Sequence, residues 1–491
     1  MTNLRQKKSI TRRLICSLII FAVSMATRGS ANGLLLCAPY LRARMSVFQP
    51  HNLLAALCEA GVALQRLVVV VLTTFAILTE LSSSAHAECK PAFGTVINQS
   101  NWREYQDCFS EGIRYLWSQA GFWKMPQDAE LHVGQQHQYV LPQPFVAASE
   151  KFGGQARLIR QSDGSFRLEN YTAGVPFPNP SGPDRALEIA TNATYRMTGY
   201  AAAGLADVGA GPARYYSKDR RGIWSAETVD YVYRQLAYNW EPGVLQNDPQ
   251  GAGAWSSEWV MVESPEQMRY TALLTIHYQD NLRNDDTWTF VPALRRSLRL
   301  PEGAKCLPLF GGDADNGDVG IGKYTANFVR EEPLLTLVEM NPQFAGKFPE
   351  EYDGALGWPK PSWGDWETRK AYVVDLRNIS SLGADRCYGK RTVYLDQQYY
   401  QTLAEDIYDR RLQLAKVAWV GLQSGSLDQY SAQMGFGGAI DIYWDVQKEH
   451  ASYISSVGRD PRPVAWNKQV PQQYQNVALY SSPGGLAQLR R

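Results

Sequence analysis

Between Gln267 and Tyr278 the chain alternates with a period of two, and that pattern commits much of it to a sheet. The even positions Met268, Tyr270, Ala272, Leu274, Ile276 and Tyr278 are apolar; the odd positions Gln267, Arg269, Thr271, Thr275 and His277 are polar, Leu273 being the exception. Successive side chains of a strand point to opposite faces, so this run has one apolar and one mostly polar face, as in an antiparallel sheet with one solvated side. The alternation returns at Trp288 and Phe290, at Tyr372, Val374 and Leu376, and at Ile440, Ile442, Trp444 and Val446. Asp396-Gln397 and Asp409-Arg410 fall between strand-like runs and read as hairpin turns.

A one-faced sheet needs a cover. Trp102, Tyr105, Phe109, Ile113 and Leu116 recur at helical steps and predict a helix over Asn101–Trp117, opened by a capping box of Asn101 with Glu104. Asp184 to Met197 reads as a helix after Pro183. A further helix is expected from Ser225, with Val229, Val232, Tyr233, Leu236 and Trp240 as its stripe. Gly174-Val-Pro-Phe-Pro-Asn-Pro180 is an extended loop, because proline fixes φ and stops a helix. The expected fold is α+β: a large curved antiparallel sheet covered by helices. It forms a single domain over 88–491, helical over about 88–250 and strand-rich over about 255–450. Where sheet and helices do not meet closely, an apolar cavity results, and such cavities take lipid-like molecules. Its lining is expected on the even strand faces, at Tyr270, Leu274, Trp288 and Phe290.

The first 87 residues read as an N-terminal extension and a cleaved signal. Arg66 precedes the apolar run Leu67–Thr79, and Ala85-His86-Ala87 supplies the A-x-A site, so cleavage is expected between Ala87 and Glu88. The run of 13 residues is short of the ~20 that a membrane-spanning helix needs. Two starts stay open, Met1 and Met45, as does an N-terminal anchor at Leu14–Ala26. Glu88 directly before Cys89 spoils a lipobox. The chain after Ala87 has 40 basic and 46 acidic groups, so no basic field attracts nucleic acid. Its four cysteines, Cys89, Cys108, Cys306 and Cys387, suit two disulfides in an oxidising compartment. Three pairings exist; Cys89–Cys108 with Cys306–Cys387 is preferred, each pair lying in one region. The periplasm is the expected compartment.

Catalytic and cofactor patterns fail on spacing. His132 and His137 are not H-E-x-x-H, and His132, His137, His277 and His450 read as solvated surface residues. Asp313-Ala-Asp-Asn-Gly-Asp318 has its glycine one place early for a calcium loop. Gly421-Leu-Gln-Ser-Gly425 has its serine one place late for a nucleophile elbow. No cofactor, metal or catalytic set is expected. A hydrolase using a carboxylate pair, Asp365 with Glu367 or Glu405 with Asp406, is an alternative; as strand neighbours, Glu405 and Asp406 face opposite ways. A structural partner of an envelope complex is another. Its contact surface would be the loop with Trp358, Trp363 and Trp366, which is favoured to fold back onto the sheet instead.

Trp288-Thr-Phe-Val-Pro-Ala-Leu-Arg295-Arg296-Ser-Leu-Arg299-Leu-Pro301 resembles a W-x-(Y/F)-x-P-x-x-R-R pattern, with looser spacing at Arg299. Lys390-Arg-Thr-Val-Tyr-Leu-Asp396, then Ala404-Glu-Asp-Ile-Tyr-Asp409, resembles a second block, and Gly174-Val-Pro-Phe-Pro178 a third. Together they resemble the family catalogued as domain of unknown function 1329. Its members are often labelled outer-membrane lipoprotein-sorting proteins and grouped with the LolA and LolB lipoprotein carriers. The resemblance implies an unclosed β-barrel with helices over its concave face, a periplasmic setting and an apolar cavity. It implies no catalytic residues. It also implies a non-enzymatic binding or transfer role for a lipid-like molecule, alongside an inner-membrane RND-type exporter and an outer-membrane partner. Arg295 and Arg296 are expected in salt bridges on the outer strand face.

Overall fold

The alternating runs fold into strands of one antiparallel sheet. The computed structural model describes residues 89–118, 125–209, 211–301, 306, 312–314, 321–340, 358, 360–382, 387–423, 425–426, 432–433, 438–455 and 464–488. All belong to one compact unit, His86–Arg491. The expected signal, its cleavage site at Ala87 and Glu88, and residues 315–318 of the acidic loop lie outside the described residues. Among the described residues no helix is long and apolar enough to cross a membrane.

The chain opens with β1 (Val96–Asn98), α1 (Glu111–Ser118), β2 (Glu130–His132) and α2 (Gln143–Phe152). A small hairpin, β3 (Arg157–Arg160) with β4 (Phe166–Glu169), precedes α3 (Arg185–Thr194). Then come β5 (Ala201–Gly204), β6 (Ala213–Asp219), β7 (Gly222–Gln235), β8 (Ala254–Ser264), β9 (Ala272–Tyr278), β10 (Asp286–Val291) and β11 (Arg296–Arg299). The second half supplies β12 (Tyr324–Thr336), β13 (Glu367–Asn378), β14 (Lys390–Asp396), β15 (Thr402–Tyr408) and β16 (Leu414–Leu422). A minor pair, β17 (Gly425–Ser426) and β18 (Ala432–Gln433), precedes β19 (Gly438–Asp445), β20 (His450–Ser455) and β21 (Ala465–Trp466). Two short helices, α4 (Val477–Tyr480) and α5 (Pro483–Gln488), follow.

The main sheet runs β11-β10-β9-β8-β7-β6-β20-β19-β16-β15-β14-β13-β12, with β5 on β7 and β21 on β5. The end strands β11 and β12 do not pair, so the sheet is not closed into a barrel. Its two halves meet at β6 and β20, where Tyr216 and Tyr453 lie in register with their rings stacked at 4.4 Å. The expected hairpin turns are present. Asp396 Oδ1 accepts the N–H groups of Gln398 and Tyr399 at 2.8 and 2.9 Å, and Asp409 Oδ1 accepts those of Arg411 and Gln413 at 2.8 and 2.9 Å. A carboxylate that bonds its own downstream backbone is what makes aspartate a turn former.

Three expectations change. The helix expected from Ser225 is β7: Thr228-Val-Asp-Tyr-Val-Tyr233 is β-branched and aromatic, and partner strands flank it on both sides. The sheet therefore begins at β5, well before residue 250. The helix expected over Asn101–Trp117 is broken into a 3-10 turn, Trp102–Cys108, and α1. Asn101 makes no cap; its side chain accepts from Asn98 N–H and donates to the Val96 carbonyl. Ser110 caps α1 instead, its Oγ accepting from Ile113 N–H at 3.2 Å.

Both sheet faces are covered. On one face α1 and the Trp358–Trp366 region pack over Val417, Trp419, Ile442 and Trp444. Further along the same face, residues from Ala465 to Leu486 pack over Val232, Trp259, Leu274 and Phe290. On the other face α3 buries Ala186 and Ile189 against Val374, Val393 and Leu395. The structure joins Cys89 to Cys108 and Cys306 to Cys387.

Candidate ligand-binding site

The alternation separates the two sheet faces; burial shows which one is packed core and which stays half-buried. In β9 the even residues Ala272, Leu274 and Ile276 are buried, whereas Leu273, Thr275 and His277 are half-buried. The same split places Tyr215 opposite buried Tyr216, Tyr231 and Tyr233 opposite Val232, Ile454 opposite Tyr453, and Asp441 opposite Ile442. The pairings Tyr215↔Ile454 and Ile454↔Asp441, with Tyr231↔Val260 and Val260↔Leu273, set these residues side by side on one face. Tyr215, Tyr231, Tyr233 and Asp441 are half-buried on this face.

The four residues expected to line a cavity, Tyr270, Leu274, Trp288 and Phe290, pack on the side of the sheet that the C-terminal segment covers. Leu274 and Phe290 are packed core residues, and Tyr270 and Trp288 pack at the margin of that core. The physical reason is remote in sequence: the segment from Ala465 to Leu486 covers the even face and fills it.

The segment between α2 and β5 is held by its own contacts. Gly174 takes φ +79°, and a Cβ there would lie 2.5 Å from Ser149 N, so the G-x-P-F-P loop needs its glycine. Asn192 of α3 clamps the same loop, accepting from Phe177 N–H at 2.9 Å and donating to its carbonyl at 2.7 Å. Beyond α3, Tyr195 packs against Tyr171, Tyr238 and Trp255, and Trp255 against His277. Arg196 follows directly. Its Nε donates to Gln401 Oε1 at 2.8 Å and its Nη1 to the Ala193 carbonyl at 3.3 Å.

Burial also shifts the ionisable groups on and beside this face. Burial pushes the phenols of Tyr215, Tyr231 and Tyr233 well above their usual range. Burial pushes Asp441 up to about 7 against the opposing pull of Arg196, and holds the Arg196 guanidinium below its usual value. Glu258 stands on the same face but is mostly exposed. The Tyr231 hydroxyl is buried without a hydrogen-bond partner among the described residues. An apolar face with a few polar groups suits an amphiphile.

The other expected sites resolve differently. All four described histidines hold carboxylates and are not simply solvated: His132 with Glu130, His137 with Glu367, His277 with Asp285 and His450 with Asp313, at 2.6 to 3.0 Å. Glu405 and Asp406 do face opposite ways, Glu405 pairing with Arg391 and Asp406 with Tyr394 and Ser110. Glu367 is spent on His137 and Arg369. Arg295 and Arg296 have no salt bridge among the described residues; Arg299 instead binds Asp286, which also accepts from Tyr278 and Arg283. Trp358, Trp363 and Trp366 are buried, Trp358 against Trp117 and Trp366 against Trp419, around a cavity of only ≈ 20 Å³. That volume suits about one water, not a lipid. Asp313, Asp445 and His450 bring ligand atoms within 4.8 Å of one another, but Asp313 Oδ2 already accepts from Ser452 and meets His450, and Lys448 pairs with Asp445. This cluster pins residues 312–314 to β20.

The family model described as "Protein of unknown function (DUF1329)" matches residues 96–316 and 357–483. No curated protein matches the chain. Among solved structures, the chain is similar to a domain from Vibrio parahaemolyticus named for outer membrane lipoprotein sorting, with TM-score 0.41 and 15% identity over 61% of this chain and 100% of that one. It is similar to a DUF1329 family protein from Desulfovibrio piger, with TM-score 0.40 and 11% identity over 60% and 97%. A LolA superfamily protein from Nitrosomonas europaea gives TM-score 0.32 and 15% identity over 56% and 91%.

Proposed function

This chain belongs to the DUF1329 family, and on that footing we propose that it is an exported, non-enzymatic protein that binds and transfers a lipid-like molecule. The observation that supports this reading is the half-buried face of the sheet formed by Tyr215, Tyr231, Tyr233, Val260 and Ile454, whose side chains are phenolic or branched apolar. Phenol rings and branched side chains shield an acyl or ring body from water, at roughly 25 cal/mol per Å² of apolar surface removed. The two disulfides fit an oxidising compartment such as the periplasm. Working partners would be an inner-membrane RND-type exporter and an outer-membrane protein.

The test is mass spectrometry of small molecules extracted from protein purified from its native envelope, together with displacement of a fluorescent fatty-acid probe. A co-purifying amphiphile that displaces the probe supports the reading. No extractable lipid and no displacement by fatty acids or sterols overturns it.

A further inference from the structure

We propose that one end of the sheet docks onto an anionic lipid bilayer, with cations of its hairpin tips at the head groups and the leucines Leu294 and Leu412 at the acyl boundary. The proposal goes beyond the carrier reading and rests on different residues.

Strand direction gathers the tips. The pairs Asp219↔Gly222, Asp445↔His450 and Tyr408↔Leu414 close the hairpins β6–β7, β19–β20 and β15–β16 at the same end of the sheet. The pairings Thr228↔Ser264, Met261↔Ala272 and Ala272↔Phe290 carry that end across to the β10–β11 tip, closed by Val291↔Arg296. Side chains join neighbouring tips. Arg220 Nη2 meets Glu449 Oε1 at 2.9 Å, and Gln447 Nε2 donates to Asp409 Oδ2 at 3.1 Å.

This end is cationic although the chain is not. After Ala87 the chain has 40 basic and 46 acidic groups, yet in the tips 219–222, 292–296, 409–413 and 445–449 seven Lys and Arg stand against four Asp and Glu. The fifth tip at this end, 265–271, carries one of each, Glu266 and Arg269. The carboxylates turn inward. Asp409 accepts the backbone N–H groups of Arg411 and Gln413, Asp445 those of Gln447 and Lys448, and Asp219 that of Arg221. The cations turn outward: the side chains of Arg221 and Lys448 are 92% and 62% exposed, against 23% and 5% for Asp219 and Asp445. Such a field attracts an anionic partner.

The leucines select lipid over a soluble anion. Arg410-Arg411-Leu412 and Leu294-Arg295-Arg296 repeat one composition on two tips, and all six residues are exposed. Leu412 is 48% exposed and takes φ +59°, its N–H donating to the Asp409 carbonyl at 2.9 Å. That left-handed place after a turn favours glycine. A leucine there gains neither backbone ease nor burial in the core. A leucine beside two arginines suits the interface, where the chain enters the acyl boundary and the guanidinium groups stay at the phosphates. Tips spread along one end of a sheet meet a plane at several points.

The test sediments the full exported chain with vesicles of phosphatidylglycerol and phosphatidylcholine in equal parts, and with phosphatidylcholine alone. Binding to the anionic vesicles should be at least about tenfold tighter and should vanish in about 0.5 M salt. Arg410→Gln with Arg411→Gln should weaken it roughly tenfold or more. Leu412→Gly suits the left-handed turn, so its urea midpoint should be no lower than that of wild type while vesicle binding falls about threefold or more. Leu245, 66% exposed on the β7–β8 connection at the opposite end, is the control; Leu245→Ser should leave binding unchanged. No vesicle binding, or equal binding to both vesicles without salt dependence, overturns the proposal. So does a loss in Leu245→Ser as large as that in Leu412→Gly. The carrier reading is tested on extracted ligand and stands or falls separately.

Discussion

The Tyr394 phenol donates a 3.0 Å hydrogen bond to Oδ2 of Asp406 and accepts one, also 3.0 Å, from Glu111 N–H at the start of α1. Asp406 is fully buried, and its Oδ1 accepts from Ser110 Oγ, the cap of the same helix. One carboxylate thus seats the N-terminal helix on the sheet.

Burial pushes Asp406 up to about 6, with hydrogen bonds from Gly112, Tyr394 and Ser110 pulling the other way. The folded value lies above the ordinary unfolded one. Its contribution to stability is therefore fully present at low pH and is lost as pH rises from about 4 through about 6. The loss is about 2 to 3 kcal/mol on the scale of 1.36 kcal/mol per unit. Denaturant titrations of wild type and Asp406→Asn across this window should show the slope in the first and not in the second. An identical slope in both would assign it to other groups.

Loop closure ranks the two disulfides. Cys89–Cys108 spans 19 residues and Cys306–Cys387 spans 81. Chain entropy gives about 3 kcal/mol for the shorter and about 4.5 for the longer. Paired Cys→Ser variants should follow that order in urea midpoint. The reverse order would mean that packing at buried Cys89 and Cys108, and not closure of the loop, dominates.

Arg369 is the sole described cation against two buried carboxylates, Asp396 at 2.8 Å and Glu367 at 3.4 Å. Arg369→Met leaves Asp396 held only by the turn N–H groups and Glu367 only by His137, and should cost on the order of 3 kcal/mol at neutral pH. Adding Asp396→Asn and Glu367→Gln should recover part of it, a non-additivity that a mutant cycle measures. Full additivity would count against a shared network.

Strand content was legible where the pattern is local. The alternation at Ala272–Tyr278 needs only its own residues, and the turn aspartates Asp396 and Asp409 bond backbone within four positions. What covers a strand is not local. The segment Ala465–Leu486, far along the chain, decides that Leu274 faces packed core, while Leu273 stays half-buried on the other face. β7 was illegible for a related reason. Buried Val229 and Val232 and half-buried Tyr233 lie on both of its faces, and a strand covered on both sides loses the alternation that separates it from a helix.

Tyr231 gives the ligand-free protein a measurable flaw. Its ring packs with Val260 and Val229, while its hydroxyl is buried and has no hydrogen-bond partner among the described residues. Leaving such a group unsatisfied costs about 1 to 3 kcal/mol, whereas deleting it removes the cost and keeps the ring. Tyr231→Phe should therefore be more stable than wild type by about 1 kcal/mol when both are stripped of lipid, read as a higher urea midpoint at unchanged m-value. A variant that is less stable than wild type would show that the hydroxyl is already bonded in solution, by water or by protein.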